Sequence, residues 1–318
     1  MKRPSASLVP RPASLKDIEL QTFGFEMTDR PDSLYIPRLA IIGVGLIGGS
    51  LALALKEAGA VGEVVGIGRG MANLEKALEL GVVDRISRDA AEGVRDADLV
   101  FLATPVLALP EVAAAIATQL KPGAILTDGG SVKGSVARAI EPLLPPGVHF
   151  VPGHPIAGTE KSGAEAAFAT LYRRRRCILT PTEKTDPGAL DLVRRVWETA
   201  GSEVVLMDVE KHDRVLAAIS HLPHMVAYSL VNAVSTYDRY EENILEYSAG
   251  GFRDFTRIAS SDPTMWRDIA LTNRDALLEM MERFERFFAE LKEDVRDGDG
   301  RKLFEFFLRS KESRDAIL

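Results

Sequence analysis

The pattern of apolar and polar positions changes character twice along the chain, near Arg38 and near Asp208. Before Arg38 there is little periodicity: Pro, Ser and mixed charges dominate, which predicts a disordered tail over residues 1–36. Its Arg and Ser content is faintly that of a transit peptide, but Asp17, Glu19, Glu26 and Asp29 argue against one. A second reading starts translation at Met27 and leaves residues 1–26 outside the native protein. From Arg38 onward, short apolar runs alternate with helical patterns. Strands are predicted at Leu39–Ile42, Glu63–Ile67, Leu99–Ala103, Ala124–Thr127, Val148–Val151, Cys177–Leu179 and Val204–Met207. Helices are predicted at Ser50–Ala58, Ala72–Leu80, Glu111–Leu120 and Pro187–Ala200, the first two closed by Gly59 and Gly81. Strand alternating with helix at this spacing implies a parallel sheet with right-handed crossovers.

After Asp208 the strand signal stops. Helical stretches follow at Val209–Val234, Pro263–Leu271, Arg274–Val295 and Arg301–Arg314. Leu278, Met281, Phe284, Phe287, Phe288 and Leu291 recur at three- and four-residue steps and mark an apolar helix face. Such a face either packs on the chain's own core or pairs with a second copy, and a homodimer through the helical part is the expectation carried forward. The predicted fold is therefore an α/β Rossmann-type doubly wound parallel sheet over residues 37–208, followed by an all-α domain over residues 209–318.

The turn Gly43-Val-Gly45-Leu-Ile-Gly48 has the G-x-G-x-x-G spacing, with a predicted strand before it and a helix after it. The first glycine permits the tight turn, the second lets backbone approach a pyrophosphate, and the third allows close helix–strand contact. The helix N-terminus then offers unpaired N–H groups to the phosphates. Leu46, Ile47 and Thr104 join the three glycines as expected cofactor contacts. An NAD site usually ends the second strand with Asp or Glu on the ribose 2′-hydroxyl. Here the strand runs Val65-Gly66-Ile67-Gly68-Arg69, so the acid is missing. Arg69 either holds a 2′-phosphate or stacks on adenine; the absent carboxylate tilts the cofactor expectation to NADP or dual use over NAD alone.

Composition narrows the partners. The 318 residues are 46% hydrophobic and 27% charged, an ordinary globular balance and a length that suits two domains. No stretch approaches the roughly 18 apolar residues of a membrane span, and no secretory h-region opens the chain. A net charge of −7 disfavours nonspecific nucleic-acid binding, and the run Arg173–Arg176 reads as a solvated loop. The single cysteine, Cys177, excludes an internal disulfide and a Cys-based metal cluster. The expectation is a cytoplasmic protein acting on a small molecule, with no metal.

Chemistry-bearing residues gather at the strand ends. His154 lies in Val151-Pro-Gly-His154-Pro-Ile-Ala-Gly158, at the rim where doubly wound folds place ligands. Ser131 and Lys133, in Asp128-Gly-Gly-Ser131-Val-Lys133, share that rim. His221 and His224 stand three apart on one helix face; without a Cys or HExxH companion they are weak zinc ligands, and His221 reads equally well as a hydrogen-bonded core residue.

Together these stretches resemble the prephenate/arogenate (cyclohexadienyl) dehydrogenase family of tyrosine biosynthesis. The matching segments are Ile42-Gly-Val-Gly-Leu-Ile-Gly-Gly-Ser50, Thr127-Asp-Gly-Gly-Ser-Val-Lys133, Gly153-His-Pro-Ile-Ala-Gly158, Ser220-His-Leu-Pro-His224, Gly251-Phe-Arg-Asp-Phe-Thr-Arg-Ile-Ala259 and Asp262-Pro-Thr-Met-Trp266, in the family's order. The resemblance implies oxidative decarboxylation of prephenate to 4-hydroxyphenylpyruvate, or of arogenate to tyrosine. Hydride leaves the ring C4 for NAD or NADP while the ring carboxylate departs as CO2. It implies His154 as the acceptor of the 4-hydroxyl proton and Ser131 as the residue orienting hydroxyl and imidazole. Arg257 corresponds to the arginine that binds a substrate carboxylate and His224 to a histidine near the substrate side chain. Trp266 shapes the pocket, and Lys133 is a rim candidate for substrate binding. Because these residues come from both halves, the site is expected in the cleft between them. The stretch after Trp266 is too short for a further regulatory domain or a fused chorismate mutase, so feedback inhibition is expected to act at the active site. A β-hydroxyacid dehydrogenase would need G-x-x-x-K-x-x-x-N after residue 160, and that pattern is missing. A non-catalytic NADP sensor would have no use for Ser131, His154, His224 and Arg257 together.

Overall fold

The computed structural model describes residues 34–159, 161–237 and 244–317. The predicted tail, apart from its last three residues, lies outside them. Six strands form the main sheet: β1 (Ile36–Ile42), β2 (Val61–Ile67), β3 (Arg85–Ser87), β4 (Leu99–Leu102), β5 (Ile125–Asp128) and β6 (His149–Val151). Their order is β3-β2-β1-β4-β5-β6 and every pairing is parallel. The helices between them are α1 (Leu46–Glu57), α2 (Met71–Glu79), α3 (Ala90–Gly93), α4 (Leu109–Ile116) and α5 (Gly134–Ile140). This is the doubly wound order, in which the strand sequence reverses between β1 and β4.

The alternation of β1 shows why a fully buried strand is apolar throughout. Leu39 and Ile41 join one core cluster with Leu51 and Leu55 of α1. Ala40 and Ile42 join the other, with Ile116 of α4 and Val136 and Ile140 of α5. Both faces are covered, so each large aliphatic side chain removed from water contributes about 1.5–3 kcal/mol. The strand begins at Ile36, inside the stretch read as tail, because a proline and an arginine at its start hide the pattern. Pro37 needs no donor at an exposed strand start, and the Arg38 amide bonds Asp98 Oδ2 at 2.9 Å.

The expected parallel sheet is present with six strands, but Cys177–Leu179 and Val204–Met207 do not join it. After Pro152 the chain leaves the main sheet and builds a second one from β7 (Gly153–Pro155), β8 (Arg176–Leu179) and β9 (Glu203–Leu206), with α6 (Pro187–Thr199) before β9. β7 runs antiparallel to β8, and β9 parallel to it. Pro152 cannot donate to a ladder, and its carbonyl instead accepts from Thr180 N at 3.0 Å. Arg173 and Arg176 meet Glu57 and Glu203 at the surface; the run is solvated as expected, but Arg176 already belongs to β8 and not to a loop.

Asp208 closes the strand-rich half. Its carboxylate caps the next helix by accepting from Lys211 N, worth about 1 kcal/mol. The predicted helix Val209–Val234 is really α7 (Val209–Leu216), a π-helical turn at Ala217–His221, and α8 (Leu222–Tyr237). Pro223 directly follows the π turn inside a continuous helical run, and the local break in the ladder accommodates its missing N–H. α9 (Gly250–Thr256), α10 (Pro263–Thr272), α11 (Arg274–Asp297) and α12 (Gly300–Asp315) follow. Trp266 and Ile269 of α10 enter the same core cluster as Val100 and Leu102 of β4, which presses the helical half onto the sheet. The stripe on α11 does not pack on the chain's own core: Met281, Phe284, Phe287 and Phe288 are all exposed.

Candidate functional site

The glycine turn joins β1 to α1. Gly43 has φ +101°, a left-handed conformation, and its N–H bonds Ile67 O of the neighbouring strand at 2.9 Å. A Cβ here would lie 2.5 Å from Ala103 O. At Gly48 it would lie 2.3 Å from Gly43 O and 2.7 Å from Ile41 Cγ2. Gly45 is different: the nearest atom to its Cβ position is Gly163 N at 3.9 Å, so backbone is bare on that side. The amides of Leu46, Ile47 and Gly48 open α1 without a side-chain cap, and first-turn amides have no intrahelical acceptor. The turn is held from outside by Asn73, whose amide donates to Val44 O and whose carbonyl accepts from Ala164 N. Thr104, beside Gly43, has a buried hydroxyl with no partner among the described residues. Gly43→Ala is expected to lower the unfolding free energy by about 1–3 kcal/mol, through overpacking and strain. Urea unfolding reads that loss, and loss of reduced-nucleotide fluorescence enhancement reads the closed cradle.

Arg69 emerges at the end of β2, exposed, beside a cavity of about 660 Å³ that it lines with Arg88, Asp89, Ala90, Ala91 and Ala115. The Asp89 carboxylate is already engaged with the amides of Ala91 and Glu92. Two arginines therefore line this cavity, and its one carboxylate is occupied.

Across the switch point lies a buried polar cluster. Asp128, the last residue of β5, accepts from the amides of Gly130 and Gly153 and from the Lys133 ammonium. Lys133 also donates to Gly153 O at 2.7 Å. Its side chain is 0% exposed, with the ammonium turned to Asp128. The spacing that put Lys133 on the rim is right, but Asp128 five residues earlier draws the ammonium inward. Burial lowers the Lys133 ammonium below its ordinary range, and Asp128 opposes that shift. The pair has a positional consequence: it ties the loop bearing Ser131 to the strand bearing His154.

His154 stands in the middle of β7 and is buried. Its Nδ1 lies 2.9 Å from Nε2 of His212, on α7. His212 Nδ1 lies 2.8 Å from Asp213 Oδ1. Asp213 also accepts from the amides of Lys133 and Gly134 at 2.9 and 2.8 Å. Burial first, and then charge–charge repulsion from protonated His212, from the Lys133 ammonium and from protonated His221, hold the His154 imidazole well below its usual pKa of 6.5; at neutral pH Lys133 is the charged one of the three. It is a neutral base at pH 7. His212 is likewise lowered by burial, against the pull of Asp213. Burial opposes ionisation of Asp213, but its hydrogen bonds to His212, Lys133 N and Gly134 N outweigh that and lower its carboxyl. The sequence reading missed both His212 and Asp213. A histidine followed by an acid in the first turns of a helix has no periodic signature to set it apart.

The helical half supplies the facing wall. His221, at the end of the π turn, is buried, with Nδ1 3.1 Å from Asn273 Nδ2 and Nε2 unpartnered among the described residues. Burial lowers its pKa to about 4. His224 lies one helical step further on and stacks on Trp266, with centroids 3.7 Å apart and planes 24° apart. Its Nδ1 is bonded to Ser220 O at 2.9 Å, so Nε2 is the atom it can offer. Burial lowers the His224 pKa, Ser220 O opposes this, and the Arg257 charge adds to it. Arg257 follows α9, exposed, and its guanidinium makes no ion pair among the described residues. His224, Trp266 and Arg257 thus form one group, and His154 meets the helical half through His212. The Ser131 hydroxyl, on the β5–α5 loop, is partly exposed.

Two family descriptions match the chain in tandem: "Prephenate dehydrogenase, nucleotide-binding domain" over residues 51–206 and "Prephenate dehydrogenase, dimerization domain" over residues 208–309. A cyclohexadienyl dehydrogenase of Zymomonas mobilis is 41% identical over 280 residues, covering 88% of this chain and 95% of that protein. The crystal structure of prephenate dehydrogenase from Aquifex aeolicus, in complex with hydroxyphenyl propionate and NAD+, superposes with a TM-score of 0.84 at 40% identity. That match covers 90% of this chain and all of the other. Synechocystis arogenate dehydrogenase superposes with a TM-score of 0.74 at 30% identity, covering 88% of this chain and all of the other.

Proposed function

The chain belongs to the prephenate dehydrogenase family, and on that premise we propose that it oxidatively decarboxylates prephenate or arogenate at the site built around His154. The observation that carries this reading is a buried imidazole on β7, just past the C-terminal end of β6 and bonded to His212, in the same chain as a glycine cradle for a dinucleotide. NAD(P) fits that cradle, since Gly45 leaves backbone bare and the α1 amides lack acceptors. When bound there, NAD(P) would supply the hydride acceptor for the substrate ring. Loss of that hydride builds positive charge at the carbon bearing the 4-hydroxyl, and His154 takes the hydroxyl proton as it develops. Ser131 orients the hydroxyl toward the imidazole. Arg257 and His224 hold the far end of the substrate: a guanidinium suits a planar carboxylate, and His224 Nε2, with the ring proton on Nδ1 toward Ser220 O, accepts from an N–H donor such as the arogenate ammonium. Trp266 fixes the His224 plane by stacking. The reaction is driven downhill by aromatisation, so the protein need not hold the departing carboxylate tightly.

Support for NADP, or for use of both cofactors, comes from the missing acid after β2 and the two arginines at the adjacent cavity. A homodimer joined through the exposed apolar stripe of α11 agrees with the matched dimerization domain. Turnover is tested in a two-by-two comparison of prephenate and arogenate with NAD and NADP, following absorbance of the reduced cofactor. No signal in any of the four combinations removes the proposed activity. In the same assay, Arg69→Ala is expected to lower kcat/KM for NADP about tenfold, the worth of one charge-assisted contact, with NAD changed less than about threefold. Equal losses for both cofactors would remove Arg69 from 2′-phosphate recognition.

A further inference from the structure

We infer that Asp213 and His212 form a relay that fixes His154 as its Nδ1–H tautomer, leaving Nε2 as the one basic atom it offers to substrate. The inference rests on the proposed role of His154 and adds two positioning residues to it. The chain of reasoning starts at the acid. An ionised carboxylate only accepts, and Asp213 is kept ionised by three donors, two of them backbone amides that cannot change role. His212 must therefore present a protonated Nδ1 to Asp213 Oδ1. A neutral imidazole carries one proton, so His212 Nε2 holds a lone pair. At 2.9 Å from it, His154 Nδ1 must be the donor. The second nitrogen of His154 is then bare.

Two other protonation states are possible in principle, and the surroundings disfavour both. Charging His212 would make its Nε2 a donor and force the proton of His154 onto Nε2, which destroys the base. The groups around the two rings are Lys133, Asp128, His221 and Asp213, with the buried Cys177 thiol beside Lys133 and the backbone of His154. Burial and the Lys133 ammonium keep His212 neutral although Asp213 pulls the other way. Moving the His212 proton to Nε2 would instead leave the Asp213 carboxylate facing a lone pair in a buried site, which is costly. When His154 takes a proton, its Nδ1–H bond to His212 becomes charge-assisted, and Asp213 stabilises the pair without itself being protonated. The relay also crosses the molecule: Asp213 and His212 are on α7, whereas His154 and the amides of Lys133 and Gly134 belong to the sheet half. Docking of the helical half thus sets the tautomer of the base.

The test uses the full-length protein labelled with 15N-histidine, without ligand, at neutral pH. His154 is expected to show a protonated Nδ1 and a lone-pair Nε2 in two-bond 1H–15N spectra. An Nε2–H tautomer overturns the inference. Kinetics give a second reading. His212→Leu removes the acceptor and should lower kcat about 100-fold with KM changed less than about threefold, the split expected of a residue that acts on the base alone. His212→Gln places a carboxamide oxygen where Nε2 stood, can accept from His154 without help, and should recover to within about tenfold of the unaltered protein. His212→Leu retaining full kcat, or His212→Gln falling as far as His212→Leu, overturns the relay. The NMR reading needs no substrate, so it stands or falls separately from the proposed reaction.

Discussion

Replacing His154 with Asn lowers turnover of the cyclohexadienyl substrate by about 10³- to 10⁴-fold, with cofactor binding and thermal midpoint preserved. That loss corresponds to about 4–5 kcal/mol of transition-state stabilisation, near the upper range for a single general base. Asn is smaller than the ring but keeps a donor toward His212, so His212 Nε2 is not left without a partner. The pH profile of the unaltered protein carries the same argument. Burial and nearby positive charge hold His154 well below 6.5, so its protonated form gains little until the solution is distinctly acidic. The sign follows directly: kcat/KM stays flat as pH falls through 6.5 and drops only below it, as the base is lost. A profile that falls with a midpoint at or above 6.5 would remove His154 as the free base, as would a His154→Asn variant with full turnover.

Much of this site was readable in the sequence, and the reason is local chemistry. The glycine turn is legible because three positions need the absence of a side chain, two of them against atoms closer than 3 Å. The core strands are legible because both faces are covered and the run is apolar throughout. Parallel strands in sequence do not reveal which sheet they join. The transfer of Cys177–Leu179 and Val204–Leu206 to a second sheet depends on one proline at position 152 and on a three-residue strand, β7, too short to have a period. β3 escaped for the opposite reason: Arg85-Ile-Ser87 is an edge strand with little to bury. Ser131, His154, His224 and Arg257 were singled out as candidates by linear motifs. His212 and Asp213 were not, since their significance lies in contact with a strand 58 positions earlier. Lys133 shows the limit of placing a residue by its distance from a strand end. Its backbone is where the spacing put it, and its ammonium faces the other way, toward Asp128.

That ion pair yields the second large effect. Lys133→Met is expected to destabilise the protein by about 3–5 kcal/mol, the cost of leaving one buried partner uncompensated. Methionine matches the length of the lysine stem, so packing changes little. The loss comes from Asp128, whose carboxylate keeps only the amides of Gly130 and Gly153 in a site closed to water. The pair itself is a different matter, because desolvating two charges offsets most of their attraction. The double variant Lys133→Met with Asp128→Asn removes both charges but keeps an acceptor for only one of the two amides of Gly130 and Gly153, so it should recover part of the deficit and not all of it. Urea unfolding at one protein concentration and without nucleotide measures all three proteins on the same footing. A single-variant loss under about 1 kcal/mol would mean that water reaches Asp128 despite its burial. A double variant no better than the single one would assign the cost to the lost bond between Lys133 and Gly153 O. In that case the lysine acts as a strap on β7, and turnover should fall with stability because β7 carries His154.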